Sequence, residues 1–124
     1  MKTKVMIIED EVDLCSLLAL DLKEKGFDVI SANDGLSGLE KVKAEKPDIV
    51  ILDLILPELS GEEVCKEIRK DDSVCSTPIL MLTAKNADVD KVIGKVIGAN
   101  AYFTKPFDSG ELFDQIKKLT SHKK

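Results

Sequence analysis

The sequence predicts an α/β fold in which a parallel sheet of five strands is covered by helices on both faces. Three observations carry that prediction. Short apolar runs of strand length recur five times, a helix-period apolar pattern follows each of them, and the connections between the two are short.

The first run, Val5-Met6-Ile7-Ile8, comes directly after Met1-Lys2-Thr3-Lys4 and ends in Glu9-Asp10-Glu11. Leu14, Leu17, Leu18 and Leu22 then mark one buried helical face, and Gly26 stands where that helix should stop. Asp28-Val29-Ile30-Ser31 is the second strand, followed by a helical face of Leu36, Leu39 and Val42. The third strand, Ile49-Val50-Ile51-Leu52, is apolar throughout, as a strand buried on both faces should be, and it runs into Asp53. Ser60 followed by Glu63 matches a capping box and opens a helix carrying Val64, Cys65 and Ile68. Ile79-Leu80-Met81-Leu82 is the fourth strand and leads to Thr83. Val89, Val92, Ile93, Val96 and Ile97 form the fourth helical face, which should end at Gly98. Gly94 inside it costs about 1 kcal/mol relative to Ala, so this helix should be easier to displace than its neighbours. Ala101-Tyr102-Phe103 is a short fifth strand with Lys105 just beyond it. Asp108 and Glu111, a second capping-box pair, open the last helix, with Leu112, Phe113, Ile116 and Leu119 facing inward. Strands joined through helices in this way take right-handed crossovers.

The 124 residues make one domain, 1–124, with 44% hydrophobic and 33% charged residues, too aliphatic for a disordered chain. Trp is absent and aromatics are few, so no base-stacking platform is suggested, and a net charge of -5 argues against direct nucleic-acid contact. Cys15, Cys65 and Cys75 lack metal-ligand spacing and read as small, buried or half-buried thiols. With no signal peptide, they imply a reducing, cytoplasmic setting. No apolar stretch approaches the roughly 18 residues of a membrane span. The single histidine, His122, sits in a tail expected to fray and is expected to be idle.

The chemistry gathers at the strand ends. Glu9, Asp10 and Glu11 follow the first strand, Asp53 the third, Thr83 the fourth and Lys105 the fifth, and a parallel sheet points all of these ends the same way. Two ionised carboxylates about 4 Å apart repel by roughly 4 kcal/mol at an effective dielectric of 20, so Asp10, Asp53 and Glu9 need a cation among them. Mg²⁺, which favours one or two carboxylates, water and phosphate oxygens, suits the set. A carboxylate next to such an ion and a lysine, with the Thr83 hydroxyl as donor, can act as a nucleophile toward phosphorus.

These segments closely resemble the receiver domain of two-component response regulators along essentially the whole chain. Val5-Met6-Ile7-Ile8-Glu9-Asp10-Glu11, Asp53-Leu54-Ile55-Leu56-Pro57 with Gly61, Leu82-Thr83-Ala84 and Tyr102-Phe103-Thr104-Lys105-Pro106-Phe107 match that family's four signature segments in order. The resemblance implies a (βα)5, flavodoxin-like fold with strand order 2-1-3-4-5. It implies that Asp53 accepts a phosphoryl group from a histidine kinase or histidine phosphotransfer protein. It further implies that Asp10, Asp53 and the backbone carbonyl of Ile55 ligate Mg²⁺, with Glu9 acting mainly through water. Lys105 and Thr83 would contact the phosphoryl oxygens, Tyr102 would move with Thr83 as a switch, and the Lys105-Pro106 bond would be cis. The protein would then be a signalling switch rather than an enzyme. Its output would be a change of the surface made by the fourth predicted helix, the fifth strand and the last helix, read by an output partner or by a second copy in a homodimer.

Glu9 stands where Asp is commoner in the family, which lengthens its reach to a metal. Ile55 and Lys85 occupy the two flanking positions at which the family tunes the lifetime of the phosphoryl group. An apolar Ile55 cannot orient a water, so slow autodephosphorylation is expected. No effector domain follows Lys124, which leaves a stand-alone receiver or a piece of a longer regulator as the expected contexts. Three other functions compete for the same residues. A haloacid-dehalogenase-like phosphatase needs a second Asp two residues after the nucleophile, where this chain has Ile55. A flavodoxin-like nucleotide binder needs a glycine-rich loop after the first strand, which is absent. A receiver-like module that signals without phosphorylation has no need of the intact Asp10, Asp53, Thr83 and Lys105.

Overall fold

In the computed structural model, residues 2–83 and 98–121 are described. The fourth predicted helical face, with Gly94, and Ala84, Lys85 and His122 lie outside them. Five strands, β1 (Lys4–Ile8), β2 (Asp28–Ala32), β3 (Ile49–Asp53), β4 (Ile79–Thr83) and β5 (Ala101–Thr104), pair in parallel in the order β2-β1-β3-β4-β5. The fold class and strand order agree with the expectation. Each strand begins or ends within one residue of the run that predicted it.

The strand alternation divides the core into two layers. On one face of the sheet Met6, Ile8, Val50, Leu52 and Met81 pack against α2 (Gly35–Glu45) and α3 (Gly61–Lys70) through Leu39, Val42, Val64 and Ile68. On the other, Val5, Ile7, Ile51, Leu80 and Leu82 pack against α1 (Val12–Glu24) and α4 (Ser109–Thr120) through Leu18, Leu22, Leu112 and Ile116. Every residue of β3 and β4 is buried, which explains their unbroken apolar runs. Each buried aliphatic side chain contributes roughly 1.5–3 kcal/mol relative to exposure, so the central strands supply much of the drive to fold.

The helix ends follow local chemistry. Ser60 Oγ accepts from the Glu63 N–H at 3.2 Å, and Asp108 Oδ1 accepts from Gly110 and Glu111 N–H at 2.7 and 3.2 Å. Asp34 caps α2 in the same way, accepting from Ser37 N–H at 2.8 Å. At the end of α1, Gly26 takes φ +96, its N–H donates to the Lys23 carbonyl, and Phe27 N–H donates to the Leu22 carbonyl. Those two bonds make a Schellman motif, with Phe27 and Leu22 both in the core beneath it.

Three expectations about burial are corrected. Leu17 and Leu36, read as parts of buried helical faces, are exposed because each lies at the margin of its helix's apolar stripe, where the sheet does not reach. Cys75 is exposed on the loop between α3 and β4, whereas Cys15 and Cys65 are buried.

The approach to α3 depends on Gly61, because a Cβ there would collide with the backbone carbonyl of Asp53 and with the Leu54 Cα. Gly61→Ala therefore should destabilise the fold by about 2–3 kcal/mol, read as a lowered urea midpoint at unchanged m-value, with displacement of the loop after β3.

Candidate functional site

The sheet register assembles the site. Ile8, the last residue of β1, pairs with Leu52, Asp53 pairs with Leu82, and Thr83 pairs with Thr104. Glu9, Asp53, Thr83 and Lys105 consequently stand at neighbouring strand ends on one rim, held there by backbone bonds from Leu54 N–H to Leu82 O (2.9 Å) and from Lys105 N–H to Thr83 O (2.8 Å). The Lys105-Pro106 bond is cis, as expected.

Lys105 is the cation of the cluster. Its Nζ lies 2.9 Å from Glu9 Oε1 and 3.2 Å from Asp53 Oδ2. The second oxygen of each acid is met by backbone: Glu9 Oε2 accepts from Glu11 N–H at 3.1 Å, and Asp53 Oδ1 from Ile55 N–H at 3.2 Å. Asn33 Nδ2 donates to the Glu9 carbonyl at 2.9 Å and ties the loop after β2 to the same corner. Glu9 is fully buried and Asp53 only 6% exposed, whereas Asp10 faces solvent.

Burial governs the electrostatics. It raises the Glu9 carboxyl from its ordinary 4.5 to about 7, against the lowering by Lys105 and the Glu11 N–H, and the Asp53 charge adds to the rise. Burial would lower the Lys105 ammonium, but Glu9 and Asp53 together outweigh it and hold that pKa above its ordinary value. Among the described residues the lysine thus gains from two acids, while each acid has one lysine.

That imbalance bears on a metal. Glu9, Asp10 and Asp53 each offer a carboxylate oxygen within 4.8 Å of the others, three hard oxygen donors against one ammonium among the described residues. A hard divalent cation such as Mg²⁺ fits this donor set, and a softer metal that favours nitrogen or sulfur does not. Thr83 supplies a second sign of a missing partner: its hydroxyl is buried and has no hydrogen-bond partner among the described residues. Buried hydroxyls are rarely left so, because the desolvation cost is about 1–3 kcal/mol.

The structure brings Glu9, Asp10, Asp53 and Lys105 together and sets Thr83 on the same rim. The Ile55 side chain is 65% exposed, while its backbone N–H bonds Asp53. Tyr102 is half-buried and packs with the α2/α3 layer, opposite Met81 and on the same sheet face as Thr83. The direct Glu9–Lys105 pair was not foreseen from the sequence, although the longer reach of Glu relative to Asp was the available signal. Asn33 was missed altogether, since nothing local marks it. Beside Lys105 an apolar groove of about 460 Å³ runs between α1 and the start of α4, lined by Leu14, Leu17, Leu18, Pro106 and Phe107.

Comparison with known proteins agrees with this geometry. Residues 5–117 match the family model described as the response regulator receiver domain. The chain is 44% identical over 119 residues to the alkaline phosphatase synthesis transcriptional regulatory protein PhoP of Bacillus subtilis, covering 96% of this chain and 49% of that protein. It therefore spans about half the length of that relative. Among solved structures, the chemotaxis protein CheY4 of Vibrio cholerae superposes with a TM-score of 0.89 at 29% identity, covering 96% of this chain and 99% of that one. The receiver domain of the sensor histidine kinase PA1611 of Pseudomonas aeruginosa superposes at 0.90 with 25% identity, covering 98% and 99%. That structure has a magnesium ion coordinated in its active site cleft.

The raised Glu9 pKa has a consequence for stability. Between 4.5 and about 7 the folded protein holds a proton that the unfolded chain has lost. The contribution of this group is then complete below the unfolded value and is lost as pH rises through the folded one. In chelator, unfolding free energy should fall by about 3 kcal/mol between about pH 5 and about pH 8, and Glu9→Gln should remove most of that slope in urea titrations.

Proposed function

The chain belongs to the response-regulator receiver family, the phosphoacceptor signalling domains of two-component systems, and on that premise we propose that Asp53 is its phosphoacceptor, charged by a histidine kinase or histidine phosphotransfer protein with Mg²⁺ bound. The observation that carries this reading is the Lys105 ammonium lying against Asp53 beside the three-carboxylate cluster.

Asp10, Asp53 and the Ile55 carbonyl would hold the Mg²⁺, with Glu9 contributing through water, as a magnesium ion lies in the cleft of the related PA1611 domain. When bound, the ion neutralises the charge of the phosphoryl oxygens and of the carboxylates around them. An Asp53 carboxylate oxygen attacks phosphorus in line, the P–N bond of the donor's phosphohistidine breaks, and its electron pair returns to the imidazole. Lys105 then shifts its ammonium from Asp53 toward the phosphoryl oxygens, keeping Glu9 as its second partner. The Thr83 hydroxyl, buried and without a partner among the described residues, donates to one of those oxygens.

The same Thr83 movement links the site to a switch. Tyr102 shares its sheet face and is half-buried, so withdrawal of Thr83 toward the phosphoryl group opens room for the ring to turn inward. The outer surface at β5 and α4 changes with it, and that surface would be read by an output partner or a second copy of the chain. Turning a mostly inactive population into a mostly active one takes about 5.5 kcal/mol of differential stabilisation, within reach of a phosphoryl group contacting a divalent ion, a lysine and a hydroxyl. The groove beside Lys105 offers the donor protein an apolar seat next to the acceptor. The reduced thiols suit a cytoplasmic protein.

Two measurements test this. Acetyl phosphate with Mg²⁺ should give a single phosphoryl adduct by intact mass, absent in Asp53→Asn and in chelator; an adduct that survives either condition overturns the assignment. Ile55 presents only an apolar side chain, so the adduct should be long-lived. Ile55→Asn, which can orient water, should shorten its half-life by about tenfold, the effect of one hydrogen bond worth about 1.4 kcal/mol in the transition state.

A further inference from the structure

The edge strand β5 delivers Lys105 to the site, yet its own sequence says little about where it should pair. All four of its residues are half-buried, and among the described residues β4 is its only strand neighbour. Ala101 and Thr104 suit either face of a sheet, and a strand with so weak a hydrophobic pattern has a weakly specified register. A one-residue slip along β4 would carry Lys105 about 3.3 Å and turn Tyr102 and Phe103 to the opposite layers.

The groups that fix the register lie at the far end of the strand. Asn100, immediately before β5, brackets Ile79, the first residue of β4. Its N–H donates to the Ile79 carbonyl at 2.8 Å, and its Oδ1 accepts from the Ile79 N–H at 2.8 Å. Arg69, in the last turn of α3, holds Asn100 in that posture through Nη2, which donates to Asn100 Oδ1 at 2.9 Å. Nε and Nη2 also donate to the Gly98 carbonyl at 3.2 and 2.8 Å, and Nη1 donates to the Cys75 and Thr77 carbonyls at 3.0 and 2.8 Å. All five N–H donors of the guanidinium are used. One rigid fork joins the end of α3 to the segments entering β4 and β5, which the point charge of a lysine cannot do.

We infer that Arg69 and Asn100 are positioning residues for phosphoryl transfer: by pinning the register of β5 from the opposite end of the sheet, they hold the Lys105 ammonium against Glu9 and Asp53. The inference rests on the reading of Lys105 as the cation that receives the phosphoryl group. Asn100 and Lys105 are separated by about 17 Å of strand, and a shift of about 1 Å in a reacting group can cost as much as a hundredfold in rate.

The test measures phosphorylation of the full chain by acetyl phosphate, together with Mg²⁺ affinity, at a temperature where each variant is folded. Asn100→Leu and Arg69→Lys should slow phosphorylation about tenfold with Mg²⁺ affinity unchanged, since Lys105 is no metal ligand, and Asn100→Asp, which keeps the acceptor oxygen, should restore the rate. In a Lys105→Met background the same two changes should add almost nothing, because the group they position is gone. Should Arg69→Lys fail to fold, Asn100→Leu, which leaves the guanidinium and its carbonyl contacts, decides the comparison alone. Unchanged rates, a parallel loss of Mg²⁺ affinity, or an undiminished effect in the Lys105→Met background would each overturn the inference. Failure of the parent chain to accept a phosphoryl group, or full activity in Lys105→Met, would instead strike at the role of Lys105.

Discussion

One lysine shared between two buried acids organises this molecule. The Lys105 ammonium meets Glu9 at 2.9 Å and Asp53 at 3.2 Å, joining the ends of β1, β3 and β5 across the top of the sheet. Burying such charges is costly, and their mutual attraction offsets that cost only where geometry and extra hydrogen bonds cooperate. Here the backbone N–H groups of Glu11 and Ile55 supply the extra bonds. Among the described residues the cluster nevertheless keeps more negative than positive charge, and that residue of unfavourable energy is what a divalent cation can relieve. Polar clusters of this kind give up stability for responsiveness.

Such a cluster needs a frame that does not give. The layers of aliphatic side chains on each face hold β3 and β4 rigidly, so Asp53 and Thr83 are set by the most deeply buried part of the sheet. Lys105 arrives from β5, an edge strand whose four residues are all only half-buried. The polar bracket of Arg69 and Asn100 couples α3 to β5 at the end of the strand remote from Lys105. The same helix begins beside Asp53, where Gly61 lets its first turn approach the strand backbone. Both ends of α3 thereby bear on the site.

The apolar runs and the punctuation between them made most of the fold legible. Strand runs and helix stripes depend on local periodicity, and Ser60, Asp108 and Gly26 act within one turn of themselves, so reading them requires no knowledge of the rest of the chain. Asp34, which caps α2 just as locally, went unread because Gly35 and Leu36 give a weaker helical start than a capping box does. The misjudged burial of Leu17 and Leu36 has a different origin: a stripe drawn from spacing alone has no edges, and the sheet's extent decides which of its members are covered. Cys75 fell outside any periodic element, so nothing in its neighbours spoke to its exposure.

The residue types of the site were likewise present in the sequence, because a parallel sheet sends every strand's carboxyl end to one rim and the polar residues at those ends declare themselves against apolar runs. Glu9, Asp10, Asp53, Thr83 and Lys105 required nothing more. The sequence by itself therefore determined the elements, their order of alternation and the chemistry gathered at one edge. Only the tertiary structure decided who bonds to whom: that Glu9 and Asp53 share Lys105, that Thr83 is left without a partner among the described residues, that Asn33 steadies Glu9, and that Arg69 and Asn100 fix β5 from 31 residues apart. The reason is physical. Periodicity and capping are decided within a turn or two of chain, whereas a salt bridge or a register lock depends on loop closures over long separations, whose outcome follows from the packing of the whole domain.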